Sequence, residues 1–448
     1  MQVPAHNRWS IRIAILLVVL SGLVATSWLL ASPRASKASL LPEDYLGETL
    51  FRAGASTDHR LESLQDKLRK TPDDWRAFSQ LGLVFLQKAR ETGDPTYYQK
   101  TEDALSKALA MEPEDYSATG AMGALALSRH QFRDALKWGE RARSINPDRA
   151  YAYGVKTDAL VELGRYDEAV QTLQHMVDMR PDASAYARVS YLRELNGDTN
   201  GAIRMMQWAV DSAASPENTA WSRTQLGNLY FNSGDLSRAE QEYQRVLVEL
   251  PGYVYAQAGL GRLRAAQGQT FEAISLLEHA SQSMPLPEFV ITLADLYQAA
   301  GMQESAHKQQ ILLGGIQRLY QVNGVDLDLE LALYNADHGI DPAGTLAQAR
   351  QAYARRPSVY AADVLAWALY QAGDYQAALS YSQEALRLGT KDALKLFHAG
   401  MIYSKLNNPD LARHFLESAL AVNPNFSIVY APVARQMVDD LMALTAVH

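Results

Sequence analysis

A glycine followed five residues later by an alanine recurs in one phase along this chain: Gly164 and Ala169, Gly197 and Ala202, Gly234 and Ala239, Gly268 and Ala273, Gly301 and Ala306, Gly373 and Ala378. Pro113, Pro147, Pro181, Pro216, Pro251 and Pro285 recur in the same phase, 34 or 35 residues apart. A period of that length marks an array in which one small unit stacks on the next. At 448 residues the chain is too long for one ordinary core, and an array supplies a core that extends along its length.

The spacing also describes the unit. A glycine after a helical run supplies the left-handed residue of a C-cap. The alanine five positions on falls early in a second helix, where a small side chain lets two helix axes approach closely. Proline, lacking an amide proton, then ends that second helix. The expected unit is helix, tight turn, helix, stop. Composition agrees: Ala, Leu, Gln, Glu, Arg and Tyr dominate, and short β-branched runs bounded by turn residues are scarce.

These residues resemble tetratricopeptide repeats. Leu81-Gly82, Leu226-Gly227 and Leu260-Gly261, with Ala399-Gly400 as a variant, match the Leu-Gly pair of that family's first helix, and Phe85, Tyr230, Tyr297 and Tyr403 match its closing aromatic. The resemblance implies an all-α fold, a right-handed α-solenoid of about ten repeats starting near 75, 116, 150, 183, 220, 254, 287, 326, 359 and 393. Residues 60–72 are expected to cap the N-terminal end and 426–448 the C-terminal end, bounding a solenoid over 75–425. Two irregularities stand out. The surplus ETGDPTYYQ in the first repeat reads as a long inter-helix loop, and the second helix of repeat seven reads on through QILLGGIQRLYQVNGV.

The N-terminus differs in kind. Residues 13–31 run nineteen positions without a charge, the length that spans a bilayer. Arg8 and Arg12 precede the segment, and the chain turns acidic at Glu43 and Asp44. That bias gives a cytoplasmic tail (1–12), a transmembrane signal-anchor helix (13–31), a tether (32–59) and a solenoid on the extracytoplasmic side. Signal cleavage with secretion, and an inverted topology, are the alternatives.

In the family the first helices line the concave groove, so the resemblance places partner-binding candidates there. They are Trp221, Asn228, Phe231 and Tyr255 in repeats five and six, and Tyr334, Asp337, His338, Tyr360, Asp363, Trp367, Tyr370 and Phe397 in repeats eight to ten. Aromatic rings offer a large contact area at small entropic cost. The same residues also suit packing between repeats. For His338 the structural alternative is specific: a helix end capped by Gly339, followed by Asp341 as N-cap and Pro342 at the first helical position. Asn228, with Arg262 nearby, is all that matches the family's carboxylate grip for chaperone tails, which argues against such a clamp.

Catalytic patterns are missing. There is no HExxH, GxxxxGK[ST] or GxSxG, and no cysteine. His398 and His414 read as exposed surface, and Asp326/Asp328 and Asp439/Asp440 as solvated or capping groups. The net charge of −8 has no basic cluster, which disfavours a nucleic-acid partner. The expectation is a non-enzymatic scaffold without cofactor or metal, holding a protein or peptide during assembly of a membrane or envelope complex. A permanent accessory subunit of a membrane enzyme complex, and a groove for a glycan or small molecule, are the other readings.

Overall fold

The computed structural model describes residues 56–446, which fall within one compact unit. These residues form twenty-two α-helices and no strand. The apolar segment 13–31, the tail and most of the tether lie outside the described residues. Among those described, no helix is long and apolar enough to cross a membrane.

A leading helix, α1 (Thr57–Lys70), starts within the expected tether and lays Leu61, Leu64 and Leu68 on the first repeat. Ten antiparallel pairs follow: α2 (Trp75–Thr92) with α3 (Thr96–Met111), α4 (Tyr116–Ser128) with α5 (Phe132–Ile145), α6 (Ala150–Glu162) with α7 (Tyr166–Met179), α8 (Ala183–Leu195) with α9 (Thr199–Asp211), and α10 (Pro216–Asn232) with α11 (Leu236–Glu249). The rest are α12 (Val254–Ala266) with α13 (Thr270–Ser283), α14 (Pro287–Ala299) with α15 (Gln303–Val322), α16 (Asp328–Asp337) with α17 (Pro342–Arg355), α18 (Val359–Gln371) with α19 (Tyr375–Leu386), and α20 (Ala393–Lys405) with α21 (Pro409–Val422). The last helix, α22 (Tyr430–Ala446), covers the end through Ala434, Val438 and Leu441.

The glycines and alanines of the repeat do their expected work, whereas Pro216 opens the first helix of repeat five instead of ending the helix before it. All six glycines of the series are left-handed, with φ between 70° and 83°. The paired alanines are fully buried apart from Ala306, which is 5% exposed. Repeats two and ten lack the glycine, and His130 (φ 58°) and Asn407 (φ 55°) take the left-handed position instead. The first-repeat surplus departs from expectation: it lengthens the helices to 18 and 16 residues instead of the loop. Apolar residues such as Phe85 and Tyr97, whose rings meet at 6.0 Å, make extra helical turns favourable there. The long second helix of repeat seven is present as the 20-residue α15.

The solenoid closes on itself. Gly93, at the turn of repeat one, lies against Met284 and Leu286 ahead of repeat seven. In repeat two, the carbonyl of Arg129 accepts from Asp326 N–H at 3.2 Å, and His130 Nδ1 lies 2.7 Å from Asp326 O, ahead of repeat eight. In repeat three, Tyr166 Oη accepts from Val359 N–H at 2.8 Å, ahead of repeat nine. Gly197 in repeat four abuts Gly389 ahead of repeat ten, and in repeat five Phe231 O accepts from Asn423 Nδ2 at 2.8 Å after repeat ten. Every turn from the first to the fifth therefore meets the junction six repeats further on. One superhelical turn is six repeats, and successive turns touch along a continuous seam.

That contact imposes a second demand on two glycines. A Cβ at Gly164 would stand 2.2 Å from Pro357 O, and one at Gly197 2.2 Å from Gly389 O. Gly164→Ala therefore loses about 1–2 kcal/mol from the left-handed backbone alone, plus the seam contact. Its melting temperature should fall, and small-angle scattering should show a larger radius of gyration. Ala239→Trp, at a fully buried site, tests the packing within a pair: it should lose about 1–3 kcal/mol or more in chemical denaturation.

Candidate functional site

Inward-facing positions follow from helix periodicity. On α8 they are Ser184, Ala187, Arg188, Tyr191 and Glu194, and on α10 Asn218, Trp221, Gln225, Asn228 and Asn232, spaced by three or four residues along one stripe. With Gln87 and Arg90 of α2, Tyr253 before α12, and Tyr255 and Arg262 on it, these stripes line an interior cavity of about 1560 Å³. Gln87 Nε2 donates to Glu217 Oε1 at 3.1 Å, linking repeats one and five. The concave groove is thus a recessed space inside the superhelix. Trp221 and Tyr191 are 44% and 45% exposed, and both face this interior. Burial still raises the Tyr191 phenol above its ordinary range, as it does the Glu194 carboxyl.

At several steps the first helices of neighbouring repeats are tied by polar side chains. Arg188 donates to both oxygens of Asp158 at 2.8 and 2.6 Å. Arg262 Nη2 and Tyr243 Oη both donate to Asn228 Oδ1 at 2.8 Å. His338 Nε2 lies 3.0 Å from Asp295 Oδ1, Trp367 Nε1 donates to Asp337 Oδ1 at 2.8 Å, and His398 Nδ1 sits 3.1 Å from each Asp363 oxygen. No pattern in the sequence announced this ladder, because its partners lie about one repeat apart and differ in type at each step.

The candidates divide between wall and core. Trp221, Asn228 and Tyr255 line the large cavity, although the Asn228 acceptor is already engaged. Tyr360 lines a second, smaller cavity. Phe231, 7% exposed, packs under Arg262 at 5.4 Å. In the last three repeats the assignment to the groove needs correction. Tyr334, Asp363, Trp367 and Phe397 are at most 5% exposed, and Tyr370 stacks on Trp367 at 4.6 Å. Asp337 accepts from Trp367 and from Tyr430 Oη at 3.0 Å, and His338 is held by Asp295 and Tyr334. Large aromatic rings sit better in the spaces between helix pairs than in water. Gly339 (φ 63°) and Asp341, which caps Gly344, match the helix-end reading of this stretch. His398, expected at the surface, is fully buried between Trp367, at 4.2 Å, and the Asp363 carboxylate. Asp326 and Asp328 do cap and pair with Arg355, and Asp326 also joins the seam.

Models of the tetratricopeptide repeat match residues 126–190, 224–283, 359–399 and 396–426. These four stretches of the solenoid are tetratricopeptide repeats. Among curated proteins, anaphase-promoting complex subunit 7 of Arabidopsis thaliana is 24% identical over 220 residues, 48% of this chain and 38% of that one. Cellulose synthase 1 operon protein C of Komagataeibacter xylinus is 24% identical over 212 residues, 47% of this chain and 14% of that one. The chain thus spans well under half the length of either relative. Solved structures include the APC/C heterotetramer Cut9–Hcn1, with TM-score 0.37 and 14% identity over 86% of this chain and 90% of that one. PilW, a type IV pilus biogenesis factor, has TM-score 0.38 and 16% identity over 45% and 92%.

The C-terminal cluster makes two outcomes definite. Trp367→Ala should destabilise the tetratricopeptide array by about 3–5 kcal/mol in denaturant unfolding. Burial lifts the Asp337 carboxyl from 3.8 to about 6. The folded state therefore keeps a proton that the unfolded chain has released, and stability falls as pH rises from about 4 to about 6. Asp337→Asn preserves an oxygen acceptor for Trp367 and Tyr430, and should flatten that slope in thermal melts taken from pH 4 to 7.

Proposed function

We propose that this protein is a non-enzymatic scaffold that receives an extended segment of a partner protein inside the first turn of its superhelix. The observation that carries the reading is the interior wall, where Trp221, Tyr191, Tyr253 and Tyr255 stand among Arg90, Gln225 and Asn232. Side chains of this kind offer broad apolar contact with polar groups to fix an extended backbone. Tetratricopeptide repeats are repeat modules that bind protein or peptide partners. One relative is by name a subunit of a multi-protein complex, which fits a role in assembly. The same reading places the solenoid on the extracytoplasmic side, held to the membrane by residues 13–31.

The absence of cysteine makes a direct test straightforward. A photo-crosslinker attached to Trp221→Cys should capture the same protein repeatedly from native membranes. The same reagent on Val248→Cys, on the outer face at 82% exposure, should not. Equal capture from both positions, or capture from position 248 alone, would reject the interior as the site. A membrane-impermeant maleimide should label Val248→Cys in intact cells. Labelling only after lysis would place the solenoid on the opposite side.

A further inference from the structure

Between the two superhelical turns lies a second recess of about 520 Å³ that no open solenoid would contain. One side comes from repeats two to four, through His130, Phe132, Thr157, Asp158, Glu162, Arg188 and Tyr191. The other comes from repeats eight and nine, through Glu330, Arg356 and Tyr360.

Its charges do not cancel. Arg188 is taken by both oxygens of Asp158. Arg356, 9% exposed, donates to Glu330 Oε1 at 2.9 Å and reaches Glu162 only at 3.8 Å. The recess therefore holds three carboxylates against two guanidinium groups, and Glu162 has only a distant, shared cation. His130, the other base in the wall, stands 3.9 Å from Glu330 Oε1 through the same Nδ1 that meets Asp326 O, and it does not reach Glu162. Two buried polar atoms here lack a partner: Glu330 Oε2 and the hydroxyl of Thr157, a residue only 1% exposed. Burial pushes the Glu162 carboxyl above the usual carboxylate range, and Glu330 and Asp158 push the same way. A buried acid left with an incomplete countercharge is stabilised by any cation that reaches it.

From this geometry we infer that the seam recess is a binding site for an alkylammonium or guanidinium group. Glu162 and the free oxygen of Glu330 accept its hydrogen bonds, and Tyr191 and Tyr360 flank its charge. Aromatic faces beside a desolvated cation add to its binding, and Thr157 offers a further acceptor. The group comes either from a free polyamine or from a Lys or Arg side chain. The site adjoins the larger interior cavity and shares Asp158, Arg188 and Tyr191 with it, but Glu162, Glu330 and Thr157, which hold the cation, line the recess alone. Because both superhelical turns supply its walls, a bound cation also ties repeats two to four to repeats eight and nine.

Isothermal titration calorimetry of the full chain with spermidine, and separately with a blocked Gly-Arg-Gly peptide, tests this. At least one should bind with one-to-one stoichiometry and raise the melting temperature. Glu162→Gln, nearly identical in shape, should weaken that binding tenfold or more while its own circular dichroism and melt stay close to the parent's. Thr157→Val should give a smaller loss, of a few fold. Binding of spermidine alone identifies a free amine as the source, and binding of the peptide alone identifies a side chain. If neither binds, or if Glu162→Gln binds as tightly as the parent, the assignment is wrong. Trp221 crosslinking is unaffected by either outcome.

Discussion

Close approach between one superhelical turn and the next governs the rest of this molecule. Backbone meets backbone at the seam, where Gly164 faces Pro357 and Gly197 faces Gly389 with no room for a methyl group. Side-chain to main-chain hydrogen bonds from Tyr166, Asn423 and His130 hold the surfaces in register. Each such bond contributes only about 0.5–1.5 kcal/mol. Together with the close packing at Gly93 and Gly197, these bonds at turns two, three and five convert a nearest-neighbour array into one with contacts about 190 residues apart. Both cavities, and the unusual exposure of Trp221 and Tyr191 within them, follow from that closure.

Inside the closed wall, polar side chains bridge several first helices to the next. Such groups are costly to bury alone and become favourable only when their partners are fixed. The ladder meets that condition at Asp158 and Arg188, at Asn228 and Arg262, and at Asp363 and His398. It fails at Glu162, where Arg356 is drawn instead toward Glu330. Function and stability separate along this line. The satisfied rungs hold the repeats together, and the incomplete one leaves chemical potential for a guest.

Much of the repeat architecture was legible in the residues because its determinants are local. Left-handed glycines, the buried alanines and the prolines between units act locally, so the ten starts read from the sequence lie within a few residues of the observed helices. His130 and Asn407 show the limit of that rule, since other residues fill the same backbone position when a neighbour supports them. The site was less legible. Periodicity puts Trp367, Phe397 and Tyr334 on a first helix but does not say whether that helix meets a cavity or another repeat. Here α22 and the neighbouring helices cover them. The seam itself depends on curvature accumulated over six repeats, and no single unit encodes it.

The six-repeat register has a consequence for how such a chain can change. Solenoids ordinarily gain or lose whole units with little penalty, because each unit touches only its neighbours. In this protein the left-handed turn at Gly164 fits beneath Pro357 because a set number of units separates them. Inserting or deleting one unit between them would bring a different junction opposite every turn on the seam, matching bulky side chains to places that tolerate only hydrogen. The number of repeats between its two superhelical turns is therefore held by steric fit, and descendants of this chain are free to lengthen only beyond its ends.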